Sequence, residues 1–356
     1  MKKYLITLLL VFGMLKLSAE VQTPFKYSGL AYFDYFYNTS RDNLTRDTTK
    51  SHFQNSALNG QKDLYGFQFR RIYFTMDYDV SEKITTRFRL ETDQAALSSN
   101  GKISTFIKDA YLKYKDVFIG SDLILGIQPT IGLEIADNAW GFRSLEKTQL
   151  DLRGQLASRD MGVTLKGKIT YNGLINYAIQ YGNSSNLSPE IDAYKRISGL
   201  LQCKPINNLQ FTVYYEENFA SKDRNLKNLS LFANYSEQDK FNIGAEIFLI
   251  SQAKSYIKFN DTLDLKKLGF SFYGNYYFLP NLGIVLRYDM YDPNNNSDSK
   301  GDSRNYIVAG FDWKVDKKFS VIPNIQFESY EKVNVNNVET KFKPSMNARI
   351  TFVYVL

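Results

Sequence analysis

From residue 25 to the C-terminus, apolar and polar residues alternate one for one through segment after segment. Such a chain is committed to strands: successive side chains of a strand leave on opposite faces, whereas a helix would scatter this pattern around its circumference. In the segment 72–80, Ile72, Phe74, Met76, Tyr78 and Val80 share one side, and Arg71, Tyr73, Thr75, Asp77 and Asp79 the other. The next segment sets Thr86, Phe88, Leu90 and Thr92 against Arg87, Arg89, Glu91 and Asp93. Sixteen segments of this kind can be traced.

Their connections fall into two alternating classes. Short turns such as 81–83, 171–173, 279–281 and 316–318 follow one end of the strands; longer, Asn-, Ser-, Asp- and Lys-rich stretches at 40–64, 97–104, 130–157, 184–191, 219–226, 252–264, 293–303 and 331–344 follow the other. An even strand number with this alternation is the topology of a transmembrane antiparallel β-barrel with short periplasmic turns and long external loops. The 337 residues after Ala19 allow about 21 per strand and connection, enough for a tilted strand of roughly 10 residues to cross hydrocarbon. A secreted sandwich or propeller also alternates. It gives no reason for the apolar side to gather Tyr and Phe at strand ends, as Tyr27, Phe33, Tyr35, Tyr37, Tyr78, Tyr181, Tyr235, Tyr288 and Tyr354 do here.

Composition removes several functions. Cys203 is the only cysteine and His52 the only histidine, so disulfide scaffolds, zinc–thiolate sites and thiol–imidazole catalysis lack their parts. Neither an enzyme nor a cofactor is implied. Residues 1–19 carry Lys2 and Lys3, an apolar run from Tyr4 to Leu15 and a Leu17-Ser18-Ala19 terminus, the parts of a cleaved export signal. The barrel domain is then 20–356. Losing Lys2, Lys3 and Lys16 leaves 41 basic against 37 acidic residues, a net +4, which gives nucleic-acid binding little support.

A barrel of sixteen strands leaves a water-filled bore where one of eight would be plugged by its own side chains. Its polar faces carry nine basic residues, Arg71, Arg87, Arg89, Lys113, Lys166, Arg196, Arg287, Lys314 and Arg349. Nine acidic ones face them: Asp77, Glu91, Asp93, Asp109, Glu216, Glu246, Asp289, Asp312 and Glu328. With charges balanced, selectivity depends on those at the narrowest section. The third long connection, Thr130 to Ala157, is longer than structureless loops usually are and holds Phe142, Leu145 and Leu152, which could pack. A helical turn or two is expected within 141–153, with Ser144 as its candidate cap; the segment either packs over the outside mouth or, the favoured reading, folds into the bore. Arg143, Lys147 and Arg153 would then face Arg71, Arg87 and Arg89, with Glu134, Asp137, Glu146 and Asp151 as counter-charges.

Four motifs resemble those of the phosphate-selective porin O and P family of bacterial outer-membrane porins: Phe69-Arg70-Arg71-Ile72-Tyr73-Phe74, Ile107-Lys108-Asp109-Ala110-Tyr111-Leu112-Lys113-Tyr114, Gly126-Ile127-Gln128-Pro129 and Ser158-Arg159-Asp160-Met161-Gly162-Val163. The likeness covers about residues 65–183. It implies a trimeric sixteen-stranded porin with an inward third loop, and it adds Arg70 and Arg159 to the arginines of interest. Members often carry a Lys before the Pro of the third motif; here that residue is Gln128.

These observations predict a passive channel for small hydrophilic solutes and ions, with the resemblance pointing to anions or phosphate, narrowed by Arg71, Arg87, Arg89, Glu91, Asp93, Lys113, Arg143, Lys147, Arg153 and Arg159. Its partners are outer-membrane lipid, lipopolysaccharide phosphates near Lys222, Lys254, Lys258 and Lys300, and two further copies of itself. The competing expectation is an occluded barrel acting as adhesin or receptor through 40–64 and 252–264.

Overall fold

The computed structural model describes residues 25–42, 61–97, 102–219, 225–258, 261–296, 302–335 and 338–356. Residues 1–19, His52, Lys222 and Lys300 lie outside these. The alternating segments form β1 (Phe25–Ser40), β2 (Tyr65–Asp79), β3 (Ile84–Leu97), β4 (Ile103–Phe118), β5 (Ser121–Pro129), β6 (Arg159–Lys168), β7 (Ile175–Gly182), β8 (Arg196–Ile206) and β9 (Leu209–Phe219). They continue as β10 (Asn225–Glu237), β11 (Phe241–Lys258), β12 (Asp261–Leu279), β13 (Leu282–Asp292), β14 (Arg304–Asp316) and β15 (Phe319–Tyr330). A ribbon of β16 (Val333–Val335) and β17 (Val338–Thr340) precedes β18 (Ser345–Val355).

Each barrel strand pairs antiparallel with its chain neighbours, and β18 pairs with β1 from Leu30–Val355 to Ser40–Met346. That last ladder closes a sixteen-stranded cylinder in which every strand has a hydrogen-bonded neighbour on both sides, as hydrocarbon demands. Leu356 reaches past the end of β18 and donates its N–H to the Gly29 carbonyl at 2.9 Å. A side chain at Gly29 would collide with Leu356.

The two faces of the wall differ as the alternation requires. Ile72, Phe74, Leu125, Leu201, Leu231, Leu249, Leu286, Phe311 and Ile350 are all exposed on the outside. Aromatic rings stack between neighbouring strands there: Phe25 on Tyr78 at 4.4 Å, Phe33 on Phe352 at 5.0 Å, Tyr35 edge-on to Phe67 at 5.0 Å. None of the eighteen charged residues assigned to the polar faces is exposed. This is the inverse of a soluble barrel, whose core would be apolar.

Three long connections differ from expectation; 331–344 carries the β16–β17 ribbon. The stretch 252–264 is mostly strand, because β11 and β12 run on as a ribbon past a register break between Gln252 and Tyr256. The helix of the third long connection lies earlier than predicted. It is α1 (Ile131–Trp140), ended by Gly141, whose φ of 73° suits glycine and whose N–H bonds the Asp137 carbonyl at 3.0 Å. Ser144 caps nothing there; a single turn, α2 (Gln149–Leu152), follows. The helix starts where Pro129 ends β5, and its apolar residues Ile131, Leu133, Ala136, Ala139 and Trp140 are buried.

Candidate functional site

The connection leaves and re-enters the wall at one point. Thr130 N–H donates to the Ser158 carbonyl at 3.3 Å, and Thr130 Oγ1 to the Ala157 carbonyl at 2.6 Å. Between these ends its apolar residues pack against inward-facing side chains of one sector of the wall. Ile131, Leu133, Ala136, Leu150 and Leu156 cluster with Ala178, Leu200, Tyr214, Phe232, Phe248, Ile250 and Tyr291. Ala139, Trp140 and Leu145 cluster with Tyr273, Val285, Tyr306, Val308 and Ile322. Polar ties add to this: Gln149 Nε2 donates to the Met290 carbonyl at 2.7 Å and Gln326 Nε2 to that of Leu145 at 3.1 Å.

The opposite sector, β18 and β1 to β4, keeps open space. A cavity of about 790 Å³ on the side of the long connections is lined by Arg70, Arg71, Asp93, Glu146, Lys147 and Arg349, among others. One of about 370 Å³ on the short-turn side is lined by Arg87, Arg89, Lys108, Glu134, Asp137 and Arg159, among others. Arg143 borders both.

Three carboxylates in this sector are almost wholly buried, and each holds two cations. Asp34 meets Arg70 at 3.0 Å and Arg349 at 3.7 Å. Glu91 meets Arg71 and Lys108, each at 2.8 Å, and Asp109 meets Arg89 at 3.3 Å and also Arg159. Arg71 takes Asp93 as a further partner. The acid side chains are 0–1% exposed while Arg70 and Arg89 are 18% and 24% exposed, so at Asp34 and Asp109 it is a guanidinium that reaches the open space, whereas Glu91 and its cations Arg71 and Lys108 are all buried. Arg87 binds Asp77 through two bonds of 2.7 and 2.9 Å and remains about a third exposed.

Of the predicted residues, the structure brings together Arg71, Arg87, Arg89, Glu91, Asp93, Arg143, Lys147 and Arg159. Lys113 lies toward the short turns, 3.5 Å from Asp122, and lines neither cavity. Arg153 is a correction. It points to the far wall, fully buried, 2.7 Å from Glu328 and stacked near Tyr291 and Tyr306. The reason is its place one residue beyond α2, whose Leu150 and Leu152 face that wall. Sequence reading left Asp34 and Lys108 out of the narrowing. The signal at Lys108 was a charge on the outward phase of an apolar row, a position hydrocarbon does not accept.

Arg143 is held by Asp137 at 2.9 Å and Asp151 at 2.6 Å. Burial opposes its charge, but these carboxylates prevail and raise its pKa well above the ordinary value. Burial also pushes the Asp151 carboxyl up; Arg143 and Lys147 outweigh it and bring the group below its ordinary 3.8. A depressed carboxyl contributes stability in full above the unfolded value and loses it as pH falls through the folded one. Single-channel conductance is therefore expected to stay constant from neutrality down to about pH 4. A step between pH 5 and pH 7 would show that another group controls the segment.

Among the described residues, no group of three His, Cys, Asp or Glu side chains is placed to hold a metal ion.

No family model matches the sequence, and no curated protein matches it. Solved structures do match. An anion-selective porin from Comamonas acidovorans superposes with a TM-score of 0.64 at 12% identity, over 93% of this chain and 99% of that one. The outer membrane channel DcaP of Acinetobacter baumannii gives 0.63 at 11%, over 93% and 97%. OmpT of Vibrio cholerae, an outer membrane protein in trimer form, gives 0.58 at 11%, over 93% and 99%. At such identities the likeness concerns architecture: the chain has the closed sixteen-stranded antiparallel barrel of the bacterial outer-membrane porins.

Proposed function

We propose that this chain is a water-filled channel of a bacterial outer membrane through which small hydrophilic solutes and ions diffuse, with a preference for anions. The carrying observation is the order of charges beside the open space: arginines in front, their carboxylates buried behind. At Asp34 and Asp109 an ion in that space meets a guanidinium before the carboxylate, while Asp93, Glu134 and Asp137 also border the space and temper the excess; in a partly dehydrated passage the nearest charge dominates. The segment 130–157 sets the cross-section, because its apolar side is committed to the far wall and Arg143 and Lys147 remain toward the gap. The family resemblance over residues 65–183 favours phosphate among the anions. Residues 1–19 serve as the export signal, the long connections face outward toward lipopolysaccharide, and the trimer form of one structural neighbour supports three copies in the working assembly.

Purified protein in a planar bilayer tests this. A potassium chloride gradient should give a reversal potential on the anion side, and phosphate should compete with chloride for the passage. Reversing Arg87 and Arg89 to Glu should move that potential toward cations; an unchanged value removes both from the narrowing. Complete absence of conductance would favour the occluded receptor instead.

A further inference from the structure

Two strands of the open sector each contain one residue too many. In the β1–β2 ladder, Tyr32 pairs with Arg71 but Phe33 pairs with Phe69, so Arg70 has no partner position on β1. In the β3–β4 ladder, Arg89 pairs with Asp109 but Leu90 pairs with Ile107, and Lys108 is left over in the same way. Both are β-bulges, which bend a strand and re-aim a side chain. Each extra residue is the sixth of its strand, counted from Tyr65 and from Ile103.

The consequence is a charge inside that alternation would have sent outward. Arg70 and Arg71 both reach the bore, Arg70 to Asp34 and Arg71 to Glu91. Lys108 and Asp109 do likewise, Lys108 to Glu91 and Asp109 to Arg89. Remove the two extra residues and what remains is regular: Phe69 out, Arg71 in; Ile107 out, Asp109 in. The remaining charges also stay paired, Asp34 with Arg349 and Glu91 with Arg71. Above each bulge only one ladder is involved, since pairing of β2 with β3 starts at Arg71–Asp93 and that of β4 with β5 at Ala110–Ile127.

We propose that Arg70 and Lys108 are inserted selectivity residues: each adds one cation to the passage by a bulge that the barrel does not need for closure. The proposal rests on the channel reading above and goes further by naming the backbone device and the two residues that carry the charge excess. Arg70 also lies 3.9 Å from Glu146, and Lys108 bonds Ser158 Oγ at 3.0 Å, so both touch the third connection. A tethering role would show in conductance; a selectivity role shows in the permeability ratio.

The experiment uses the complete mature chain carrying single-residue deletions of Arg70 or Lys108, compared with Arg70→Gln and Lys108→Gln, which keep the bulges. Deletion of Thr75, a regularly paired residue, is the control that should prevent assembly, because it turns every side chain on one side of the cut to the wrong face. Both bulge deletions should assemble into barrels resistant to unfolding in detergent. Each should lower the anion-to-cation permeability ratio in potassium chloride about threefold, as its Gln counterpart does, the effect of one unit charge a few ångströms from the permeating ion in water. Three results would overturn the proposal: deletions that fail to assemble where the Gln variants succeed, a wild-type permeability ratio in the deletions, or raised conductance with the ratio unchanged. A wild-type protein that never conducts would instead defeat the channel reading itself.

Discussion

Excising residues 131–156 and joining Thr130 to Ala157 through a two-residue turn is expected to yield a barrel that still closes and conducts several-fold more current than the intact chain. The junction is feasible because β5 and β6 already lie side by side where the segment departs, with Thr130 bonded to Ala157 and Ser158. Every ladder of the wall lies outside the excised stretch. The removed residues include those that pack on the buried wall residues Tyr214, Phe248, Tyr273 and Tyr306, and an unobstructed sixteen-stranded barrel leaves an aqueous bore. The variant should be less stable. Tyr214, Phe248, Val285, Tyr306, Val308 and Ile322 would lose their apolar cover, at roughly 1.5–3 kcal/mol for each large side chain returned to water. Single-channel recording of the two proteins decides the matter: equal conductance would mean that the segment does not obstruct the passage.

Trp140→Ala has the largest expected effect among single substitutions. The indole is 1% exposed at the last position of α1. It meets Tyr273 edge-on at 5.4 Å and Phe142 at 5.7 Å, donates Nε1–H to the Glu146 carbonyl at 2.8 Å, and lies 5.2 Å from the Arg287 guanidinium. Truncating a buried Trp costs about 3–5 kcal/mol through lost transfer energy and the cavity left behind. Here the cost falls on the attachment of the segment to β12, β13 and β14, because those strands supply the neighbours of the ring. Arg143, three residues on, would lose its fixed place. Current through the open channel should become noisier, the permeability ratio should fall, and unfolding in detergent should occur at lower temperature. Trp140→Phe, which keeps most of the volume, should show less of each effect. Quiet, selective currents from the Ala variant would show that Trp140 does not hold the segment in place.

The barrel itself was readable from local pattern. A period of two with an apolar phase specifies strands, and the alternation of short and long connections specifies their up-and-down order; both are properties of residues near each other in the chain. The eighteen charges placed on polar faces follow from the same phase, and none of them is exposed. Strand length was less legible: β11 and β12 continue past Gln252 because a hairpin can persist beyond the wall with nothing in composition to mark the end. The helix over 131–140 was missed because its apolar residues, Ile131, Leu133, Ala136 and Trp140, match the wall of a bore and not a self-contained amphipathic face.

The site divides along the same line. Arg87, Arg89 and Arg143 could be chosen as candidates from their types and phases, yet which charge stands in front of which carboxylate depends on strands far apart in sequence, as Asp34 between Arg70 and Arg349 illustrates. Arg153 looked equivalent to Arg143 in sequence and lies against the opposite wall. By itself the sequence determined that the chain forms strands, which face of each is apolar and the order in which they run, since each follows from the pleat and from neighbouring residues. The tertiary structure alone decided where β1 meets β18, which side of the bore the third connection covers, and where a bulge brings Arg70 and Lys108 inward. Register, closure and charge pairing are settled between strands, and no single strand carries the information that sets them.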